Sequence, residues 1–139
     1  MTHVSPEEAL RVAALEIDDT LPRAKRGGPS KTEASYERHL MALKAAGEVR
    51  SWIAQPPAIE LAHRCTYQAD YEVVRHVHDM PVVEWHEVKG RKGGRPWYRD
   101  DGARVKAKVA ARLLAASGVP LVVVWPKKGG GWAAEVVRP

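Results

Sequence analysis

Apolar and polar positions alternate along this chain with two different periods. Between residues 30 and 46 the apolar side chains recur at helical spacing, and Tyr36, Leu40 and Leu43 fall on one stripe. Ser30-Lys31-Thr32-Glu33 opens this helix as a capping box, and Gly47 ends it. "EVRSWI" (48–53) then alternates like a strand, and Gln55-Pro56-Pro57 stops it because proline cannot donate to a ladder. "AIELA" (58–62) reads as a short edge strand and "YQADYEVVRHV" (67–77) as a longer one. "HDMP" is a turn, and "VVEWHEVKG" (82–90) is the antiparallel neighbour. A polar loop (91–102) leads to a helix over 103–117, whose inward arc is Val105, Val109, Ala110, Leu113 and Leu114. "VPLVVVWP" (119–126) is a buried strand, and "GWAAEVVR" is its hairpin partner after "KKGGG". The order predicts an α/β fold with a central mixed sheet.

Upstream, Ser5-Pro6-Glu7-Glu8 starts another helix, which runs to about Asp18. "LPRAKRGGPS" (21–30) follows as a basic linker rich in Pro and Gly. Residues 1–29 therefore form an appendage, a dimerisation or DNA-contacting arm, and 30–139 form the domain.

Length and composition narrow the class. The 139 residues suffice for one domain with a core, and a 45% hydrophobic content argues against disorder throughout. The single cysteine, Cys65, excludes an internal disulfide and a CxxC zinc pattern, which fits a reducing cytoplasm. No apolar run approaches the roughly 20 residues of a membrane span, and "MTHVSPEEAL" has no signal-peptide core. The net charge of +5 favours an anionic partner, nucleic acid ahead of a membrane surface.

The stretch "PVVEWHEVKG" (81–90) raises the chemical question. Val83, Trp85, Glu87 and Lys89 share one strand face, apolar first and charged toward the end. Glu84 and His86 take the other face, as solvated positions. Burying Glu87 and Lys89 costs several kcal/mol per ion unless they are paired or bound. A strand, a turn and a second strand bring Asp70 roughly opposite the end that carries Glu87, and Glu33 lies within about 20° of Leu40 on the helical wheel. Three carboxylates so placed make a hard-oxygen pocket suited to Mg²⁺ or Mn²⁺. Each residue also has a plainer reading: Glu33 as the capping-box acid, Asp70 as a strand-edge charge, and Glu87–Lys89 as an ion pair. His63, Cys65, His76 and His78 match no zinc-module spacing.

Asp70 followed by Glu87-Val88-Lys89 resembles the D…(D/E)xK signature of the PD-(D/E)XK nuclease superfamily. "QADY" stands where many members have Pro-Asp and an aromatic, with Ala69 in place of the proline. Residues 30 to 137 look most similar to small phage-encoded endonucleases of that superfamily, including Holliday junction resolving enzymes. The resemblance implies a restriction-endonuclease-like αβββαβ core, with a central mixed β-sheet flanked by helices. It also implies Mg²⁺-dependent phosphodiester hydrolysis of DNA, with Mn²⁺ able to substitute. Asp70, Glu87, the Val88 carbonyl and Glu33 would hold metal, and Lys89 would be catalytic. A phage resolvase would act as a homodimer on four-way junctions in the bacterial cytoplasm.

The basic residues fit such a partner. Arg104, Lys108 and Arg112 repeat at i, i+4 and i+8, and Lys106 falls in the apolar arc, aimed at the Glu87 site or snorkelling along the rim. "GRKGGRPWYR" (90–99) offers Arg91, Lys92 and Arg95 to phosphates and Trp97 to an unpaired base. With Lys31, these are the candidate DNA contacts. The rival from another class is a nucleic-acid-binding module that keeps the fold without turnover.

Overall fold

A computed structural model describes residues 29–90 and 101–139. The expected N-terminal helix and linker up to residue 28 lie outside the described residues, as does the 91–100 loop with Arg91, Lys92, Arg95 and Trp97.

Helix α1 (Lys31–Ala45) begins as the capping box predicts, with the Ser30 hydroxyl accepting from the Glu33 N–H at 3.1 Å. It ends in a Schellman turn. Gly47, at φ 81°, lets the Glu48 N–H reach the Leu43 carbonyl at 3.0 Å, while its own N–H bonds the Lys44 carbonyl at 3.1 Å. Along the chain follow β1 (Val49–Ala54), β2 (Ile59–Ala62), β3 (Cys65–Tyr67), β4 (Tyr71–Val77) and β5 (Met80–Val88). Then come α2 (Asp101–Ala115), β6 (Leu121–Pro126) and β7 (Trp132–Val136).

Five strands make one mixed sheet in the order β1-β4-β5-β6-β7. Three of its pairings are antiparallel. The β5–β6 pair is parallel, because the chain crosses back through α2 between them. β4 and β5 are joined by a two-residue turn, His78-Asp79, with φ of 50° and 64°. Left-handed backbone at both positions matches the twist of the flanking strands.

The helices cover opposite faces. Tyr36 and Leu40 of α1 pack with Val49, Tyr71, Val73, Val88, Val122 and Val124. Ala107, Ala110, Ala111 and Leu114 of α2 pack with Val74, Val83, Trp85, Val119 and Leu121. The fold is thus α/β, with a mixed central sheet between two helices.

Three expectations need correction. The 67–77 segment is not one strand: it breaks at Gln68–Asp70, and Cys65–Tyr67 pairs instead with Ile59–Ala62 in a separate two-stranded sheet. The inward arc of α2 is not the valine stripe. Ala110 and Leu114 face the core as expected, together with Ala107 and Ala111, but Val105, Val109 and Leu113 are exposed. Trp85 and Tyr67 already fill that layer with large rings, so the facing helix fits by supplying small residues. Finally, Glu84 and His86 are not solvated; His86 is buried and Glu84 largely so.

Candidate functional site

The break at Gln68–Asp70 builds the site. It lets Tyr67 leave the plane of the main sheet and fold over β5, and it sets Asp70 one step beyond the last rung of the hairpin, Tyr71↔His86. Asp70 therefore faces Glu87 across the ladder. The Asp70 N–H bonds the His86 carbonyl at 3.1 Å, and its carbonyl accepts from the Gln55 N–H at 2.8 Å. Its Oδ2 accepts from the Val88 N–H at 2.7 Å. The carboxylate thereby takes the place of a strand partner and is locked to the end of β5.

Glu87 lies on the α2 side, buried beside Trp85. Its Oε2 accepts from the Tyr67 hydroxyl at 2.7 Å, and its Oε1 faces the Lys89 ammonium at 3.5 Å. Burial pushes the Glu87 carboxyl up, and the Asp70 charge pushes it further. Lys89 and the Tyr67 hydrogen bond only partly offset this, so it stands at about 7. That like-charge effect is the electrostatic sign of two neighbouring carboxylates. Beside them opens a cleft of about 190 Å³, lined by Tyr67, Gln68, Glu87, Lys89, Lys106 and Ala107 among others.

The expected site residues divide as follows. Asp70, Glu87 and Lys89 come together, with Val88 tied to Asp70 through its N–H. Lys106 is exposed yet lines the same cleft. Glu33 caps α1 through its N–H, and its carbonyl accepts from the Tyr71 hydroxyl at 3.2 Å. Burial raises the Tyr71 hydroxyl first, followed by Glu37, Glu33 and, more weakly, Asp70, so Glu33 and Asp70 approach the same ring. Among the described residues no three Asp, Glu, His or Cys side chains gather as a metal-holding group. Lys31 is exposed in the first turn of α1, and Arg104, Lys108 and Arg112 are exposed along α2.

Tyr67 is the residue that sequence reasoning passed over. The sequence pattern makes it only the first residue of the 67–77 strand. The available signal was an aromatic hydroxyl followed at once by Gln-Ala-Asp, where the β-branched run had not yet begun.

The opposite face carries a second polar network. His86 Nε2–H donates to Glu84 Oε1 at 2.8 Å, and its Nδ1 shares a hydrogen bond of 2.6 Å with the Tyr36 hydroxyl. Arg75 lies 3.5 Å from Glu84 Oε2. Trp132 packs edge-on to Tyr36, with centroids 4.8 Å apart.

Scans against known protein families, curated proteins and solved structures gave no match to this chain. No helix among the described residues is long and apolar enough to cross a membrane.

Proposed function

We propose that the chain is a metal-dependent endonuclease that hydrolyses phosphodiester bonds in DNA, with branched DNA such as a four-way junction as its substrate. The observation that carries this reading is the meeting of Asp70 and Glu87 beside a cleft that also holds Lys89 and Lys106. The donor set fits a hard divalent cation: two adjacent carboxylates repel one another, and an ion shared between them would remove that repulsion. Asp70, Glu87 and the Val88 carbonyl would hold Mg²⁺ or Mn²⁺, with Glu33 further out. What the bound ion supplies is Lewis acidity toward water and phosphate.

The chain's own groups do the rest. The Val88 N–H holds the Asp70 carboxylate in one orientation. The Lys89 ammonium is placed to offset charge growing on the phosphate under attack. Lys106 offers a second ammonium from α2 into the same cleft. Arg104, Lys108 and Arg112, exposed on that helix, hold the flanking backbone, and so does Lys31. Cutting both strands of a junction calls for two copies of the site, hence a homodimer.

One observation favours a second reading, a nucleic-acid-binding module without turnover. Both Glu87 oxygens already have partners within the chain. A single experiment separates the two. Supercoiled plasmid, linear duplex and a synthetic four-way junction are incubated with wild type and with Asp70→Asn, in Mg²⁺ and in EDTA. The nuclease reading expects Mg²⁺-dependent cutting of the junction by wild type alone. Binding without cutting would establish the module, and cutting by Asp70→Asn would displace the site from this cleft.

A further inference from the structure

Helix α2 rests on the sheet along a narrow seam, Ala107, Ala110, Ala111 and Leu114. Most of its remaining circumference is open. At about 100° per residue, Val105, Val109 and Arg112 point away from that seam. Val105 is 60% exposed, Val109 39% and Leu113 47%, so an apolar crest runs along the outside of the helix. Both flanks are basic. Lys106 lines the cleft beside Glu87. On the far flank Arg104 and Lys108 meet Arg138 around a second hollow of about 290 Å³. Among the described residues none of these three has an ion-pair partner, although Glu135 lines the same hollow. Like charges so gathered repel one another, and an anion between them removes the repulsion.

An apolar crest with cations on both sides fits a groove whose floor offers apolar atoms and whose two walls are phosphates. The major groove of B-form DNA is about 12 Å wide, and a helix with its side chains measures about 10–12 Å across. The groove floor displays the thymine methyl group, which takes apolar contacts. We infer that α2 is a major-groove helix, with Val105 and Val109 on the base edges, Lys106 on the backbone that enters the cleft, and Arg104, Lys108 and Arg138 on the opposite backbone. The inference deepens the nuclease reading, on which its choice of DNA rests. It makes the substrate's arm a B-form duplex and excludes an RNA duplex, whose deep and narrow major groove does not admit side chains. A second copy of the chain suits the crest less well, because two such helices would bring their cationic flanks together.

The test is binding in EDTA, where nothing is cut. Fluorescence anisotropy follows the full-length chain on a short AT-rich DNA duplex, on the same duplex with uracil for thymine, and on an RNA duplex of that sequence. Every substituted side chain is exposed, and melting curves check the fold. Wild type should bind the thymine duplex about three- to tenfold more tightly than the uracil duplex, because the uracil duplex lacks the methyl groups that the crest buries. RNA should bind at least about tenfold more weakly than DNA. Val105→Ser with Val109→Ser should abolish the thymine preference and leave the salt dependence as it is. Arg104→Gln, Lys108→Gln and Arg138→Gln together should keep the thymine preference and reduce the slope of log affinity against log salt by about 2 to 3. DNA binding with these signatures but no cleavage in Mg²⁺ would sustain the role of α2 and sink the nuclease reading. Mg²⁺-dependent cleavage with a thymine preference that survives the crest substitutions, or with RNA bound as tightly as DNA, would overturn the inference and leave that reading standing. Loss of a dimer in sedimentation on changing the crest, with DNA binding intact, would make the crest a contact between copies instead. A wild type that binds no duplex and cuts nothing would overturn both.

Discussion

Glu84 and Glu87 lie three residues apart on the same strand, and their surroundings treat them in opposite ways. Burial alone would raise Glu84, but the His86 hydrogen bond, the His86 charge and Arg75 together hold it below the usual carboxylate range. Burial raises Glu87 too, and there the neighbouring Asp70 adds to the effect while Lys89 and Tyr67 fall short of cancelling it. One face of the sheet thus carries a polar chain closed on itself, from Arg75 through Glu84 and His86 to Tyr36. The other carries a carboxyl left short of positive charge beside an open cleft. A buried carboxylate that is fully compensated from within the chain has a structural task. One that is under-compensated next to a like charge is poised for a cation from outside.

On the proposed nuclease reading, the largest effect expected from this contrast is on catalysis. Glu87→Gln should reduce junction cleavage by at least about 100-fold, the scale of losing a group that stabilises the reacting phosphate. Glu84→Gln should leave cleavage within a few-fold of wild type while destabilising the fold by about 2 kcal/mol, because its charged partners lose their counterion. Cleavage assays in Mg²⁺, paired with urea denaturation, read both quantities. Equal loss of cleavage in the two variants would erase the distinction between the faces.

Next in size is the closed chain itself. His86 bonds on both ring nitrogens, so His86→Ala strands the Tyr36 hydroxyl and weakens the hold on Glu84 at once. Two lost bonds and an orphaned buried hydroxyl cost about 3 kcal/mol. Urea unfolding should show that as a lower midpoint with an unchanged slope. A change below about 0.5 kcal/mol would mean that water replaces the ring and that the network does not support the fold.

The unequal legibility of the two faces has a physical cause. Features set by near neighbours could be read from the chain: the Ser30 cap, the Gly47 turn, and a hairpin at "HDMP", although its turn is only His78-Asp79 and β5 already starts at Met80. Each depends on residues within a few positions of one another, and the hairpin fixes register by its length alone. The closed face could not be read, because Glu84 and His86 alternate with apolar residues as solvated positions do. Their compensating partner Tyr36 lies 50 residues away from His86 on a helix. The strand break at Gln68 was hidden for a related reason. No Gly or Pro marks it, and the contact that goes with it joins Tyr67 to a carboxylate 20 residues downstream. On α2 the more hydrophobic stripe lost to the alanines, since the size of Trp85 and Tyr67 across the layer decides which face fits. Val105, at 60% exposed, shows how far packing overrode hydrophobicity.

A smaller effect should appear in the pH dependence of stability without metal. The Glu87 carboxyl moves from its ordinary 4.5 to about 7 on folding. Between those values the folded chain holds a proton that the unfolded chain has released. Its stabilising contribution is therefore complete below the lower value and is lost as the pH rises through the upper one. In EDTA the melting temperature of wild type should fall between about pH 5 and 8 relative to that of Glu87→Gln, which cannot titrate there. Parallel curves for the two proteins would show that solvent reaches the Glu87 carboxyl and relieves it.

The finest comparison removes one hydroxyl from each face. Tyr36→Phe and Tyr67→Phe both keep their rings, so packing is held constant and only a hydrogen bond is lost. On the closed face His86 Nδ1 loses its partner in a buried setting, and the cost should be about 1 to 2 kcal/mol. On the cleft face the hydroxyl matters most when Glu87 is ionised, since a charged acceptor bonds more strongly than a neutral one. The cost of Tyr67→Phe should thus stay below about 0.5 kcal/mol near pH 5 and grow to about 1 kcal/mol above pH 7. Urea titrations of both variants at the two pH values resolve differences of that size when midpoints are compared at a common slope. A cost for Tyr67→Phe that ignores pH would place the Tyr67 hydroxyl among the structural bonds. A cost that follows the ionisation of Glu87 ties it to the charge that a metal ion would neutralise.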